Sequence, residues 1–427
     1  MQDDTNVQAR GRARLLATRA ANTVRYSLMN LYILIGAASM ALGGWWMWLG
    51  FASTFLVIGY ADELVGDAGD REDMPPAWYM KLMLWLTLPF LLLATVIGLN
   101  TIGEGFWFID AALAAIGFDA IAAREATGVF HAVGGLVSLG MYYGLGGVNV
   151  AHELVHRTDS RVDMIIGRWL LAFTWDTGFA IEHVYGHHRN VGTPKDPATA
   201  RRGEYIGSFI VRSTIGQFKA AREHEKARLV RRGIPDRPWT NRFWRGQFMT
   251  LAIVALHVLM LGPIGILTAM IAGAVGKAYL EMVNYVEHYG LVRVPGTRVE
   301  PRHSWDSYRR VSTGMTYNLP LHSDHHMFAS KHFWELQHNE SDAPMLPMGY
   351  MPMILLAFWQ PRFRRTMKPL LADWDNRLAS TAEREWLQQQ GLLYLDPSPD
   401  ARSRRAELRA AYEERHARRA AASRGHG

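Results

Sequence analysis

Cysteine is absent from this 427-residue chain. Without thiols, the chain forms no disulfide, no thiolate zinc site and no iron–sulfur centre of its own. Any reducing electrons that its chemistry needs must therefore come from another molecule. The absence says little about the cellular compartment.

Three other features are missing from the sequence. There is no internal repeat, no glycine-rich loop of the kind that cradles phosphate, and no visible cleavable signal peptide. The chain begins with a long polar stretch before its first apolar run, unlike a signal peptide. That first run is long enough to remain in the membrane as an anchor.

Long apolar runs, in contrast, are abundant. About 20 mostly apolar residues are needed to cross roughly 30 Å of hydrocarbon, and a buried soluble helix explains any one such run but not six together. We therefore predict an all-α integral membrane protein with six transmembrane helices and a cytoplasmic, helical, histidine-rich cap. The six predicted spans, with loose boundaries, are 27–46, 48–66, 78–100, 128–150, 246–263 and 264–286.

Positive charge is unevenly distributed along the chain, whose formal net charge is +7. Residues 151–243 carry sixteen Lys or Arg against ten Asp or Glu, whereas residues 101–126 hold a single basic residue, Arg124. The positive-inside rule then places both termini and the histidine-bearing segments in the cytoplasm. This predicts a multi-pass membrane protein whose histidine-bearing segments face the cytoplasm.

The predicted organisation has six parts. We expect the arginine-rich tail to be solvated or to touch lipid headgroups, and not to bind nucleic acid. The parts are a basic N-terminal segment (1–26), transmembrane helices 1–4 (27–150), a cytoplasmic insertion (151–243), transmembrane helices 5–6 (244–286), a second cytoplasmic region (287–380) and the tail (381–427).

Nine histidines form four tight groups beside these apolar segments. On a helix, the histidines of the three motifs that hold two or three of them are spaced to share one face and to bind a common metal ion. Nine ligands suffice for more than one ion. The motifs are HELVH (His152, His156), EHVYGHH (His183, His187, His188), NYVEHYG (His288) and HSDHH (His322, His325, His326).

Other interpretations of single motifs stay open. HELVH also matches a zinc-protease signature with Glu153 as general base, but a protease does not need seven further histidines. Nitrogen ligation alone does not select the metal, since copper or nickel binds such sites more tightly than ferrous iron. His131 and His257 are expected in hydrogen-bonded core roles.

Each histidine motif also contains an acidic residue. Histidine ligands usually give their second ring nitrogen to a carboxylate or a carbonyl, so we expect supporting roles for some of these residues. Asp196 and Asp306 are nearby in sequence, with plain surface charge as the alternative. The four acidic residues within the motifs are Glu153, Glu182, Glu287 and Asp324.

Taken together, the motifs resemble those of the integral-membrane alkane 1-monooxygenases, which belong to the histidine-box hydroxylases and desaturases. HELVHR is similar to the first box, EHVYGHH with the downstream VGTPKDPATARRGE to the second, NYVEHYGL to a distinctive additional motif, and HSWDS with HSDHH to the third-box region. The resemblance covers about 27–375.

The resemblance implies six transmembrane helices and a non-haem di-iron site held by the nine histidines named above. It implies hydroxylation of the terminal methyl group of medium- or long-chain n-alkanes, with O2, to primary alcohols. It also implies that the electrons come from rubredoxin, which an NAD(P)H-dependent reductase reduces. A separate rubredoxin fits the absence of cysteine here.

Some features depart from the alkane pattern. Leu321 stands where an arginine is usual before the third box, and GGWWMWLG and DWDNRLASTAERE are similar to the xylene/toluene hydroxylase. The alternatives are therefore a hydroxylase of alkyl-aromatic methyl groups, a membrane fatty-acyl desaturase and a non-enzymatic metal transporter. A transporter would place its ligands near the bilayer midplane, whereas these motifs lie at span ends and in loops.

Overall fold

The computed structural model describes residues 2–68, 74–339 and 341–394, and within these it contains helices and only isolated β-bridges. The predicted all-helical class is confirmed. The helices are α1 Gln2–Leu42, α2 Leu49–Ala52, α3 Gly59–Val65, α4 Ala77–Ile102, α5 Trp107–Ala115, α6 Ala120–Glu125, α7 Val129–Met141, α8 Asn149–Val155, α9 Arg161–Ala172, α10 Phe179–Glu182, α11 His188–Asn190, α12 Ile206–Arg231, α13 Arg242–Leu261, α14 Gly265–His288, α15 Arg310–Met315, α16 His322–Met327, α17 Tyr350–Phe358, α18 Gln360–Asp373 and α19 Thr381–Gln389.

Short 3₁₀ and π turns join several of these helices into longer rods. The π turns widen the helix by one residue per turn, and such turns are frequent at functional sites. The 3₁₀ turns are Gly44–Trp48, Gly262–Ile264, Pro301–His303 and Phe333–Glu335, and the π turns are Ser53–Ile58, Tyr142–Val148, His183–His187 and Trp374–Leu378.

Four stretches of the described residues are long and apolar enough to cross a membrane: Gly44–Val65, Ala77–Ile102, Val129–Val155 and Arg242–His288. The last has 47 residues and contains both the fifth and the sixth predicted spans. Most of the first predicted span, residues 27–42, lies within α1, which is not among the four. The chain is thus a helical membrane protein, and the number six stays a prediction.

The long stretch Arg242–His288 folds back on itself at Gly262. This glycine has φ 66°, in the left-handed region where a side chain is disfavoured, so α13 ends there. Close to the turn, Nδ1 of His257 in α13 lies 3.0 Å from the hydroxyl of Thr268 in α14, and this contact links the two helices. The core role predicted for His257 agrees with this contact.

The helix α14 packs closely against α7 and the π turn that follows it. A Cβ atom placed on Gly140 would lie 2.5 Å from Cβ of Val275, and one on Gly144 would lie 2.8 Å from Cβ of Tyr279. Small residues at such crossings let two helix backbones approach each other inside a membrane. This crossing brings the end of α14 beside α8, where the histidine motifs begin.

The C-terminal region covers this end of the bundle. Helix α16 carries the third box, α17 packs against α14 and α18, and α15 packs against α1 and α3. Most of the predicted arginine-rich tail over 381–427 lies outside the described residues, which end at 394.

Candidate metal centre

The nine histidines of the four motifs meet at one end of the helical bundle. Each motif lies at or just after the end of a helix or within a short helix, and nearly all nine side chains are buried. Donor atoms of five of them lie within 4.8 Å of one another, and so do those of the other four. We call these sets the five-histidine group (His152, His156, His183, His188, His325) and the four-histidine group (His187, His288, His322, His326).

The second box divides its histidines between the two groups because its helix is a π turn. In a regular α-helix, His183 and His187 would share a face. In the π turn His183–His187 the hydrogen bonds span five residues, and His183 instead aligns with His188. Nε2 atoms of His183 and His188 are 3.1 Å apart, while His187 turns to the four-histidine group.

The third box divides its histidines as well. In the α-helix α16, His322 and His326 are one turn apart and their Nε2 atoms are 3.0 Å apart in the four-histidine group. Their neighbour His325 points to the other side, where its Nε2 atom lies 3.1 Å from that of His188. One short helix therefore supplies ligand atoms to both groups.

The spacing of the ring nitrogens fits metal coordination. Nε2 atoms of His156 and His183 are 3.1 Å apart, and those of His288 and His322 are 3.2 Å apart. Two imidazoles that bind one ion at about 2.0–2.1 Å and at right angles place their nitrogens about 3 Å apart. The observed separations match this value.

Two further ring nitrogens also support metal binding. The Nε2 atoms of His152 and His187 are buried and make no hydrogen bond within the described residues. An unpaired buried polar atom is costly, and a shared metal ion in each group would satisfy it. The residues present therefore fit a pair of ions.

Five of the nine histidines are held in the neutral form by their surroundings. Burial, together with the neighbouring imidazoles, lowers the pKa of His183, His188 and His325 well below its usual range. The same causes act on His322 and His326. Neutral imidazole is the form that binds metal ions, so these rings are ready to act as ligands.

Asp196 is the carboxylate that contacts a ring of the centre most closely. Its Oδ2 atom lies 2.9 Å from Nδ1 of His187 and also accepts a hydrogen bond from the Thr199 hydroxyl at 2.6 Å. The backbone N–H of Ala198 donates to its other oxygen. This arrangement fixes the ring so that Nε2 points into the four-histidine group.

The acidic residues inside the motifs have varied partners. Glu153 accepts a hydrogen bond from Arg157 at 2.7 Å, and Asp324 pairs with Lys331 at 2.9 Å. Glu287 is closer to the centre, because one of its oxygens lies 3.4 Å from Nε2 of His322. Among the described residues, neither Glu153 nor Asp324 forms an ion pair or hydrogen bond with one of the nine rings, so their supporting roles stay predictions.

Glu182 and Asp306 are both buried near the boxes. One oxygen of Glu182, which directly precedes His183, has no hydrogen-bond partner among the described residues. Burial raises the pKa of Glu182 well above its usual range. Asp306 accepts hydrogen bonds from the backbone N–H and the hydroxyl of Ser323, at 2.7 Å each, and so anchors α16.

Histidines outside the motifs have other partners. His131 accepts a hydrogen bond from the backbone N–H of Gly128. His303 is fully buried and lies 2.8 Å from Glu383, which links the loop after α14 to α19. Neither contact belongs to the two groups.

An apolar cavity borders both groups. It is lined by His152 and His183 of one group, His322 of the other, and Glu287. The rest of its wall comes mainly from the π turn after α7 and from α14, through Gly144, Val148, Asn149, Phe179, Tyr279, Leu280, Val283, Asn284 and Leu319. Sequence patterns did not single out these wall residues, because they come from four distant segments.

Comparison with known proteins gives a consistent picture. The fatty acid desaturase family model matches residues 127–357, which include all four histidine motifs. Alkane 1-monooxygenase 1 of Alcanivorax borkumensis is 32% identical over 80% of this chain and 82% of its own length. Alkane 1-monooxygenase 2 of Pseudomonas aeruginosa is 32% identical over 76% of this chain and 84% of its own.

A relative with a different named substrate matches more of the chain at lower identity. The hydroxylase component of xylene/toluene monooxygenase from Pseudomonas putida is 29% identical over 85% of this chain and 93% of its own length. The similarity to both kinds of hydroxylase agrees with the mixed motifs in the sequence.

Proposed function

The chain belongs to the alkane 1-monooxygenases, within the fatty acid desaturase family, and we propose that it hydroxylates the terminal methyl group of medium- or long-chain n-alkanes to primary alcohols. It is a membrane monooxygenase, and its relatives support an alkane and O2 as substrates. The observation that supports the site best is the meeting of nine histidines beside an apolar cavity.

We propose that two iron ions occupy the centre, one in the five-histidine group and one in the four-histidine group. When bound, non-haem iron would supply the binding and reductive activation of O2. The choice of iron depends on the family and on the reaction, since imidazole ligands alone would favour copper or nickel.

The chain's own residues position the substrate and keep water out. The cavity has a volume of about 30 Å³, enough for a methyl group, and its walls, such as Val148, Phe179 and Val283, are apolar and favour that group over water. Because His152 and His322 line the same space, a methyl group at its end would lie beside both groups. Holding the methyl group in one orientation lowers the entropic cost of reaction.

The source of electrons is the second part of the proposal. With no cysteine, the chain has no iron–sulfur centre of its own. We propose that rubredoxin, reduced by an NAD(P)H-dependent reductase, delivers electrons from the cytoplasm to a centre at the inner face of the bacterial inner membrane. The excess of Lys and Arg in residues 151–243 would attract an acidic carrier.

The test is a conversion by whole cells. Cells that express this chain with a rubredoxin and its reductase are fed octane, hexadecane or p-xylene, and the products are identified by gas chromatography. We expect primary alcohols from the alkanes, and none in cells with His187→Ala, whose ring belongs to the four-histidine group. Equal alcohol formation by that variant would contradict the proposed centre.

The similarity to the xylene/toluene hydroxylase favours a second candidate function. Hydroxylation of an alkyl-aromatic methyl group needs the same centre, and only the shape of the substrate cavity would have to differ. In the same assay, p-methylbenzyl alcohol without any alkanol would favour this candidate. An alkene product would instead indicate a desaturase.

A further inference from the structure

A cationic pocket lies on the outer side of the helical segment that carries the second box. Its cavity of about 410 Å³ is lined by residues from that segment, from α12 and from the start of α13. Two of its residues, Tyr185 and Arg189, lie between or next to the histidines of the box. The lining residues are Tyr185, Arg189, His224, Arg228, Arg231, Arg232 and Arg242.

The positive charge of this pocket is only partly neutralised. The buried Glu225 forms ion pairs with Arg228 at 2.6 Å and with Arg242 at 2.8 Å. Within the described residues, the guanidinium groups of the other three arginines have no hydrogen bond and no carboxylate partner in the structure. Five arginines thus face one cavity with a single carboxylate behind two of them.

The surrounding charges agree with this imbalance. The hydrogen bonds and charges of Arg228 and Arg242 outweigh burial and lower the pKa of Glu225 to about 2. Glu225 is therefore ionised and fully committed to those two arginines. Burial lowers the pKa of His224, the charge of Glu223 partly opposes this, and the charges of Arg189 and Arg231 lower the pKa further.

The position of the pocket relative to the membrane indicates what it binds. Arg242 is the first residue of the candidate span Arg242–His288. Trp239 and Trp244 flank it with exposed fractions of 65% and 39%, and tryptophan is enriched at the membrane–water interface. Arg242 therefore lies at the end of a candidate span, where lipid headgroups are expected, and the other four arginines line the same cavity.

We propose that this pocket binds the phosphate-bearing headgroup of an anionic phospholipid. The planar fork of arginine matches the oxygens of a phosphate group, and basic pockets beside membrane-spanning helices are a known way of holding acidic lipid headgroups. A headgroup held there would also contact Tyr185 and Arg189, and so would brace the segment that carries the second box.

This proposal concerns binding and does not depend on the reaction. Detergent-purified full-length protein is titrated with phosphatidylglycerol or phosphatidylcholine, and bound lipid is measured by native mass spectrometry. We compare wild type with the double variant Arg231→Gln/Arg232→Gln. The matched control, Lys219→Gln/Lys226→Gln, removes the same charge from exposed positions of α12 outside the pocket.

We expect wild type and the control to prefer phosphatidylglycerol over phosphatidylcholine. The pocket variant should bind phosphatidylglycerol about five-fold more weakly per arginine removed, or roughly 25-fold in all. Equal losses in the pocket variant and the control would overturn the proposal, because they would indicate unspecific attraction to the charged surface.

Two further measurements distinguish a lipid from other anionic ligands of the pocket. Inorganic phosphate that displaces the lipid at similar concentrations would show that the pocket holds a soluble anion, and would overturn the choice of a headgroup. A pocket variant with normal lipid affinity and weakened rubredoxin-dependent turnover would assign the arginines to the electron carrier. Lipid affinity is also measured in His187→Ala. This variant should form no alcohol but should bind lipid as wild type does, so a loss of lipid binding can be told apart from a failure of the proposed function.

Discussion

The Nδ1 atom of His187 lies 2.9 Å from a carboxylate oxygen of Asp196, and both side chains are buried. His187 ends the π turn after α10, and Asp196 lies nine positions later in the loop after α11. Their contact fixes which ring nitrogen faces the four-histidine group. Partners of this kind orient ligand rings and raise their basicity. Asp196 is therefore the acidic residue expected to matter most for the centre.

Removal of this carboxylate should weaken metal binding. We expect Asp196→Ala to lower metal affinity or turnover about 10–100-fold, because the ring of His187 would lose its acceptor. The control is Asp163→Ala, since the buried Asp163 accepts a hydrogen bond from Trp85 at 2.7 Å and does not pair with a ring of the centre. Metal per chain is measured by mass spectrometry of the purified protein, and an equal effect of both substitutions would contradict the assignment.

The two groups should respond separately to loss of one ligand. We expect His325→Ala to deplete metal from the five-histidine group and His187→Ala from the four-histidine group, so that each variant retains about one ion and forms no alcohol. His131→Asn serves as the control, because His131 contacts the backbone of Gly128 far from both groups. Full activity in either group variant would remove that histidine from the ligand set.

The close crossing of α7 and α14 should not tolerate a methyl group. A Cβ atom at Gly140 would lie 2.5 Å from Cβ of Val275 and 2.7 Å from the carbonyl oxygen of Ala272. We expect Gly140→Ala to lower the free energy of unfolding by about 1–3 kcal/mol through overpacking. Gly128→Ala is the matched control, because nothing lies within 4 Å of its added Cβ. Thermal unfolding of both variants checks this, and equal stability would contradict it.

The contact between His303 and Glu383 predicts a dependence of stability on pH. Burial alone would raise the pKa of Glu383, but the hydrogen bond from His303 and the charge of Arg302 outweigh it and lower the pKa to about 2. A carboxylate with a lowered pKa stabilises the fold above its unfolded pKa, and this contribution is lost as the pH falls from about 4.5 towards 2.

The variant Glu383→Gln should therefore be less stable than wild type at pH 7, by on the order of 2 kcal/mol. The difference should shrink as the pH falls below about 4, because wild type loses the same interaction by protonation. Glu385→Gln, on the same helix but exposed, should show no such difference. Unfolding temperatures across this pH range test the prediction, and a constant gap between wild type and Glu383→Gln would refute it.

Several features of the site could be predicted from local sequence alone. The nine histidines stand out because each motif keeps ligand spacing within one or two helical turns, and the apolar runs mark where those helices end. The division into two groups could not be predicted, since the π turn His183–His187 shifts the partner of His183 from His187 to His188. A helix with α spacing would have placed these rings differently.

The ion pairs inside the bundle could also not be predicted from the sequence. Lys277 lies in an apolar span, where a lone ammonium group is costly. It forms ion pairs at 2.6 Å with Asp176, about 100 positions earlier in the chain, and with Glu281 one turn later. Only the first of these partners depends on tertiary contact, and no local pattern pointed to it.

By itself, the sequence determined the membrane-helical class, the identity of the nine candidate ligands and the need for an external electron source, because composition, hydrophobic length and short-range spacing are local properties. Tertiary structure alone decided which rings share a centre and which residues wall the apolar cavity. Those relations join segments that are distant along the chain, and they depend on how the helices cross.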